Sequence, residues 1–245
     1  MYAYEVSTAT HQLTLIQCGD AWVFCHHKNS PITIHSMAKQ FGKVPIQMRQ
    51  WVRHVVDVPA KAGWAFEYDG IITFVNPQDN MLPVILHETS HSLDLSGAYK
   101  QKPMSSSDVF WNAYNADSNT PDPYSQSNII EDVAQNSVVA IFDSNVSGGF
   151  HGVEPKSAGI KHQYQTLQAA AEAVGHGNSL FKPGQNAQCT HRMPNSETVS
   201  VNGKSKRNAG VHTRRVAPGK SLAVGIKPID TSSRKNKRSN CNLRW

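Results

Sequence analysis

The chain has 245 residues, 39% of them hydrophobic, which is enough to bury a substantial core, and one main domain is the default. No apolar run is long enough to cross a bilayer as a helix. The formal net charge of +6 is unevenly divided: from Asn195 onward 12 Lys and Arg face only Glu197 and Asp230, a net +10, which leaves −4 over Met1 to Pro194. This division predicts a main domain over 1–194 and a basic, partly disordered C-terminal extension over 195–245.

At the start, Met1 to Val6 lacks the basic start and apolar stretch of a signal peptide. Four cysteines follow along the chain, and their most local pairing is Cys18 with Cys25 and Cys189 with Cys241. The second bridge would staple the basic extension to the body and stabilise by about 4 kcal/mol on loop entropy. Cys25-His26-His27 has no C-x-x-C partner and is not read as a metal site. Ile32 to Gln40 and Pro45 to Val56 read as helices, separated at Gly42 and restarted by Pro45, a good first-turn residue. Trp64 to Val75 reads as a β-hairpin whose two β-rich arms flank the turn Asp69-Gly70. An exposed edge of such a hairpin can pair with an extended peptide, or its strand can simply pack on the helix that follows.

That helix carries the most informative motif. Met81 to Leu86 leads in with apolar residues, His87-Glu88-Thr89-Ser90-His91 follows, and Leu93 and Leu95 continue the buried pattern. Residues four apart share a helix face, so His87 and His91 can grip one ion together, and Glu88 flanks it as a general base. A catalytic zinc needs a third protein ligand. A metzincin would place histidine where this chain has Gly97. Asp94 is placed to buttress a ligand imidazole as a hydrogen-bonding carboxylate, or simply to hold a nearby backbone or side-chain group. Glu131 is the better third-ligand candidate, at the start of an apolar helix running from Asn128 through Val138, Val139, Ile141 and Phe142; Asp132 is read as a surface carboxylate.

The remaining elements are simpler. Ser105 to Tyr114 is a short helix with serines available to cap it. Asn115 to Gln126 is a Pro/Asp/Asn-rich loop. Asn145-Val146-Ser147 is a sequon that permits glycosylation. Ser157 to Val174 has helical periodicity and stops at Gly175. In the extension, Ser221 to Ile226 reads as a short strand among basic clusters. Trp245 is its single aromatic residue, so a stacking platform for nucleic acid is absent and specific nucleic-acid binding is not expected.

His87-Glu88-x-x-His91-x-x-Asp94, Tyr124 seven residues before Glu131, and Glu131-x-x-Ala134-Gln135 together resemble the catalytic domain of anthrax toxin lethal factor and its relatives. Those are zinc metallopeptidases of the gluzincin type. The resemblance covers Gly70 to Phe142 and neither end of the chain. A weaker similarity points to fungal conidiation-associated proteins. The stronger resemblance implies Zn2+ held by His87, His91 and Glu131, Glu88 as the base, and Tyr124 assisting the oxyanion. Gln135 stands where that family often has an acidic residue, so the support around Glu131 would differ.

The expectation is therefore a zincin-like α+β domain, mostly helical with a small antiparallel or mixed sheet, acting as a zinc-dependent endopeptidase on peptide or protein substrates. Glu88 would take the proton from metal-bound water and return it to the leaving amine. Family likeness and paired cysteines imply a secreted, extracellular protein whose basic extension contacts acidic glycans or other polyanions. The alternative is a non-catalytic extracellular or wall-associated binding protein that keeps the metal site for structure.

Overall fold

Five short strands make one mixed sheet: β1 (Tyr2–Glu5), β2 (Val23–His26), β3 (His54–Val58), β4 (Trp64–Tyr68) and β5 (Ile71–Val75), in spatial order β1-β2-β3-β5-β4. They are drawn from a computed structural model, which describes residues 2–5, 22–100, 102–176, 178–183 and 189–196. β2, β3 and β5 run parallel, and β1 and β4 pair antiparallel at the two edges. Asp69 and Gly70 both adopt positive φ, +50° and +79°, the conformation a two-residue hairpin turn demands. Only glycine fits at position 70, since a Cβ there would also come within 2.8 Å of Met193 Sδ.

Alternation along the strands sends Phe24, Val55, Ala65, Ile72 and Phe74 into the core. Helices cover that side. α1 (Ile34–Phe41) is capped by Thr33, whose Oγ1 accepts from Ser36 N, and its Phe41 ring meets Phe24 edge-on. α2 (Ile46–Arg49) follows Pro45. α3 (Leu82–Leu95) has Pro83 in its first turn and packs on β4, β5 and the long helix α5 (Ile129–Asn145), which Asn128 caps. α4 (Asp108–Ala116), capped by Ser107, and α6 (Lys161–Val174) complete the helical layer. The protein is thus α+β, mainly helical, with a small mixed sheet.

Several sequence expectations need correction. The helix expected over Pro45 to Val56 ends at Arg49, and His54 to Val58 form the central parallel strand β3 instead. Its three valines favour a pleated backbone, and pairing on both sides outweighs the helical start at Pro45. The helices expected from Ser105 and Ser157 begin later, after the 3-10 turns Met104–Ser106 and Pro155–Ile160. Cys25 is a free thiol on β2, so the expected bridge to Cys18 is not formed. Cys189 is disulfide-bonded, and Cys18 and Cys241 both lie outside the described residues, as do residues 197–245 with the expected strand Ser221 to Ile226.

Residues 189–196 fold back onto the body. Met193 N donates to Gln50 O at 2.8 Å, the Gln50 side chain accepts from the backbone of Thr190 and His191, and the Arg192 guanidinium lies over the Trp22 ring at 4.8 Å. In the sequon, Asn145 Nδ2 donates to Ile141 O and Phe181 O at 2.7 and 2.8 Å, so the amide is engaged in closing the end of α5.

Candidate metal centre

α3 presents His87 and His91 one turn apart, with ring centroids 4.7 Å apart and planes perpendicular. α5 approaches this face with its first turn, whose backbone is fixed by Asn128 Oδ1 accepting from the N–H groups of Ile130 and Glu131. Glu131 is thereby aimed at the histidines. Its Oε2 lies 3.1 Å from His87 Nε2 and 3.2 Å from His91 Nε2, and the two Nε2 atoms are 3.1 Å apart. The structure therefore brings His87, His91 and Glu131 together from two helices.

The shape of this triangle is informative. Zinc bound tetrahedrally at about 2.0–2.1 Å to nitrogen and oxygen sets its donors about 3.3 Å apart, close to the spacing observed. His87 Nδ1 lies 2.9 Å from Gln135 Oε1, while Gln135 Nε2 donates to Asp122 Oδ2. With its proton on Nδ1, the His87 ring offers a lone pair at Nε2 to a cation lying between it and the Glu131 carboxylate. The donor set and its support fit a divalent cation.

The electrostatics agree. Burial would lower the His91 pKa, but the hydrogen bond and charge of Glu131, with Glu88 and Glu67 behind, raise it to about 9. A proton thus stands in for a cation at this spot. Burial would raise the Glu131 carboxyl, yet its contacts with His87 and His91 outweigh that and hold it well below the usual carboxylate range. Glu88 is 2% exposed, and burial pushes its carboxyl up against the opposing pull of the two histidines. Tyr124 is half-buried, with its ring tilted against that of His87 at a centroid distance of 5.9 Å.

Of the two roles the sequence left open for Asp94, the structure shows the second: its Oδ1 accepts from Ser105 N at 3.2 Å and so fixes the 3-10 turn before α4. Asp132 is not on the surface. It is fully buried, and Asn136 Nδ2 donates to its Oδ1.

Sequence reasoning missed Glu67 and Asp122. Glu67 Oε1 accepts from Gly70 N at 2.6 Å and from Ser92 Oγ at 3.2 Å, tying the hairpin turn to α3 beside the histidines. Its signal was the strand period, since Glu67 shares a face with the buried Ala65. Gln135 was noted only as a departure near Glu131, whereas it braces His87.

Fold and site together define an α+β protein with a buried His-His-Glu cluster suited to a cation. The family model described as "Conidiation-specific protein Con-13" matches residues 2–240, and the chain belongs to that family. Conidiation-specific protein 13 of Neurospora crassa is 23% identical over 230 residues, which cover 93% of this chain and 65% of that relative. The chain therefore spans somewhat less than two thirds of the relative's length.

These findings correct the sequence expectation. The chain is a Con-13 family member and not a lethal-factor-like zinc metallopeptidase; the assignment as a gluzincin endopeptidase, and as a hydrolase at all, is withdrawn. The physical reason is one of scale. The peptidase likeness rested on a few positions between Gly70 and Phe142, whereas the Con-13 match runs nearly the length of the chain. A site of this geometry defines what it can hold, not what reaction follows.

Proposed function

We propose that this protein is a non-catalytic, conidiation-associated binding protein that holds one divalent cation, zinc by its donor chemistry, on His87, His91 and Glu131. The observation carrying this reading is the convergence of three donor atoms 3.1–3.2 Å apart in a buried site with further carboxylates behind them. The cation's role is structural: it pins the middle of α3 to the first turn of α5. Glu88 adds negative charge to its surroundings, and Tyr124 packs on the His87 ring. An edge strand, a histidine helix and a glutamate helix in this order make the framework zincin-like.

The setting is extracellular or wall-associated. The disulfide at Cys189 suits an oxidising compartment, and the net +10 from Asn195 onward suits attachment to acidic glycans or other polyanions.

Dialysis of purified protein against zinc, followed by metal analysis and a broad peptide-cleavage assay, tests the reading. The expected result is one equivalent per chain, kept in Asp132→Ala, lost in Glu131→Ala, and no cleavage. Failure to take up stoichiometric zinc overturns the metal site. Zinc-dependent cleavage abolished by Glu88→Ala overturns the non-catalytic role.

A further inference from the structure

Asp122 is outside the trio of donor atoms but reaches His87 through a single intermediary. Its Oδ1 accepts from Ser125 N at 2.8 Å and from Ser125 Oγ at 3.0 Å, which leaves Oδ2 to accept from Gln135 Nε2. Gln135 Oε1 in turn lies 2.9 Å from His87 Nδ1. Both Gln135 and His87 are almost fully buried, at 3% and 1% exposure, so solvent does not compete for these positions.

The order of donors and acceptors along this chain is forced. A carboxylate can only accept, so it selects the NH2 end of the Gln135 amide and turns the oxygen towards His87. That oxygen can only accept as well, so the imidazole must carry its proton on Nδ1. In the neutral imidazole, the form that ligates a metal, Nε2, which faces Glu131 and His91, is then left with a lone pair. We propose that Asp122 and Gln135 are positioning residues that lock His87 in the Nδ1–H tautomer and thereby set the affinity of the divalent-cation site. The tautomer half rests on hydrogen bonding alone; the affinity half rests on the metal reading above. The relay also couples the loop bearing Tyr124 to the site, since the same carboxylate holds Ser125, the next residue.

Two readouts test the proposal: long-range 1H–15N correlation of the His87 ring in metal-free protein, and zinc affinity by chelator competition. Wild-type protein should show a protonated Nδ1 and a bare Nε2. In Asp122→Asn, one amide oxygen must serve both Ser125 and Gln135, so the Gln135 orientation is no longer fixed. His87 should become a mixture of tautomers, and zinc should bind about 10–100-fold more weakly.

The double variant Asp122→Asn with Gln135→Glu restores the pattern in mirror image. The new carboxylate accepts from His87 Nδ1 and from the new amide, whose oxygen keeps Ser125. It should recover both the Nδ1–H signature and most of the affinity, which a merely structural defect would not. An Nε2–H tautomer in wild-type protein, or an unchanged tautomer and affinity in Asp122→Asn, overturns the proposal. An Nδ1–H signature in wild-type protein that takes up no zinc overturns the metal reading and leaves the tautomer assignment standing, so the two failures are distinguishable.

Discussion

His87 Nε2 and Glu131 Oε2 lie 3.1 Å apart although 44 residues separate them in sequence. With His91 Nε2 completing the triangle, these atoms are close enough to share one cation, the site proposed above. Supplying zinc should therefore stabilise the fold by mass action. At a free concentration about 100 times Kd the gain is about 2.7 kcal/mol, or about 5–10 °C in Tm. Thermal melts with zinc and with a chelator check this, and Glu131→Ala should abolish the difference. Its loss of zinc affinity should exceed the about 10–100-fold typical of losing a supporting partner.

The pH dependence of zinc binding follows from His91. With its pKa raised to about 9, the metal-free protein carries a proton there at pH 7, and zinc must displace it. Affinity should climb about tenfold per pH unit through neutrality and level off above about 9. Because the folded pKa lies above the ordinary imidazole value of 6.5, the proton's contribution to the stability of the metal-free protein is complete below 6.5 and is lost as pH rises through about 9. Titration in weak buffer should register one proton released per zinc bound at pH 7; a pH-independent affinity would refute the assignment.

Asp132 gives the fold a second pH dependence. Burial, reinforced by Asp122 and Asp117, raises its carboxyl from 3.8 to about 8, so ionisation costs the folded state stability as pH rises through that window. Asp132→Asn removes the charge and keeps an oxygen to accept from Asn136 Nδ2. The variant should match wild type near pH 4 and melt a few degrees higher at pH 8. Equal melting temperatures at pH 8 would show that the carboxylate is not buried as described.

Gly70 joins three parts of the molecule. Its N–H donates to Glu67 Oε1, its carbonyl accepts from Arg53 N, and Met193 occupies the space where a Cβ would stand. Gly70→Ala should cost about 1–3 kcal/mol, from the left-handed backbone and from displacement of residues 189–196. Denaturant melts measure the loss, and faster hydrogen exchange at Met193 N–H would locate it.

How much of this was legible in the sequence depended on range. His87 and His91 could be paired because a helix fixes their spacing locally, and Glu131 could be ranked over Asp132 only as a candidate. Their meeting is tertiary, set by the packing of α5 on α3 and by the Asn128 cap. The same cause hid the supporting residues: Glu67 arrives from a strand, Asp122 from an irregular loop, and neither has a spacing that marks it. β3 was mistaken for helix because Pro45 opens a helical turn, while the pairing that makes His54–Val58 a strand comes from β2 and β5. The functional reading failed for a related reason. Three residues specify which atoms can converge on a metal, and the chemistry that follows depends on surroundings that only the whole chain defines.

Whether one cation joins His87, His91 and Glu131 is decided by anomalous diffraction across the zinc edge, on crystals of protein purified with zinc. One strong peak per chain is expected, within about 2.0–2.2 Å of both Nε2 atoms and a Glu131 oxygen. Anomalous peaks elsewhere in a zinc-loaded crystal, with this triangle bridged only by protons, would overturn the metal site.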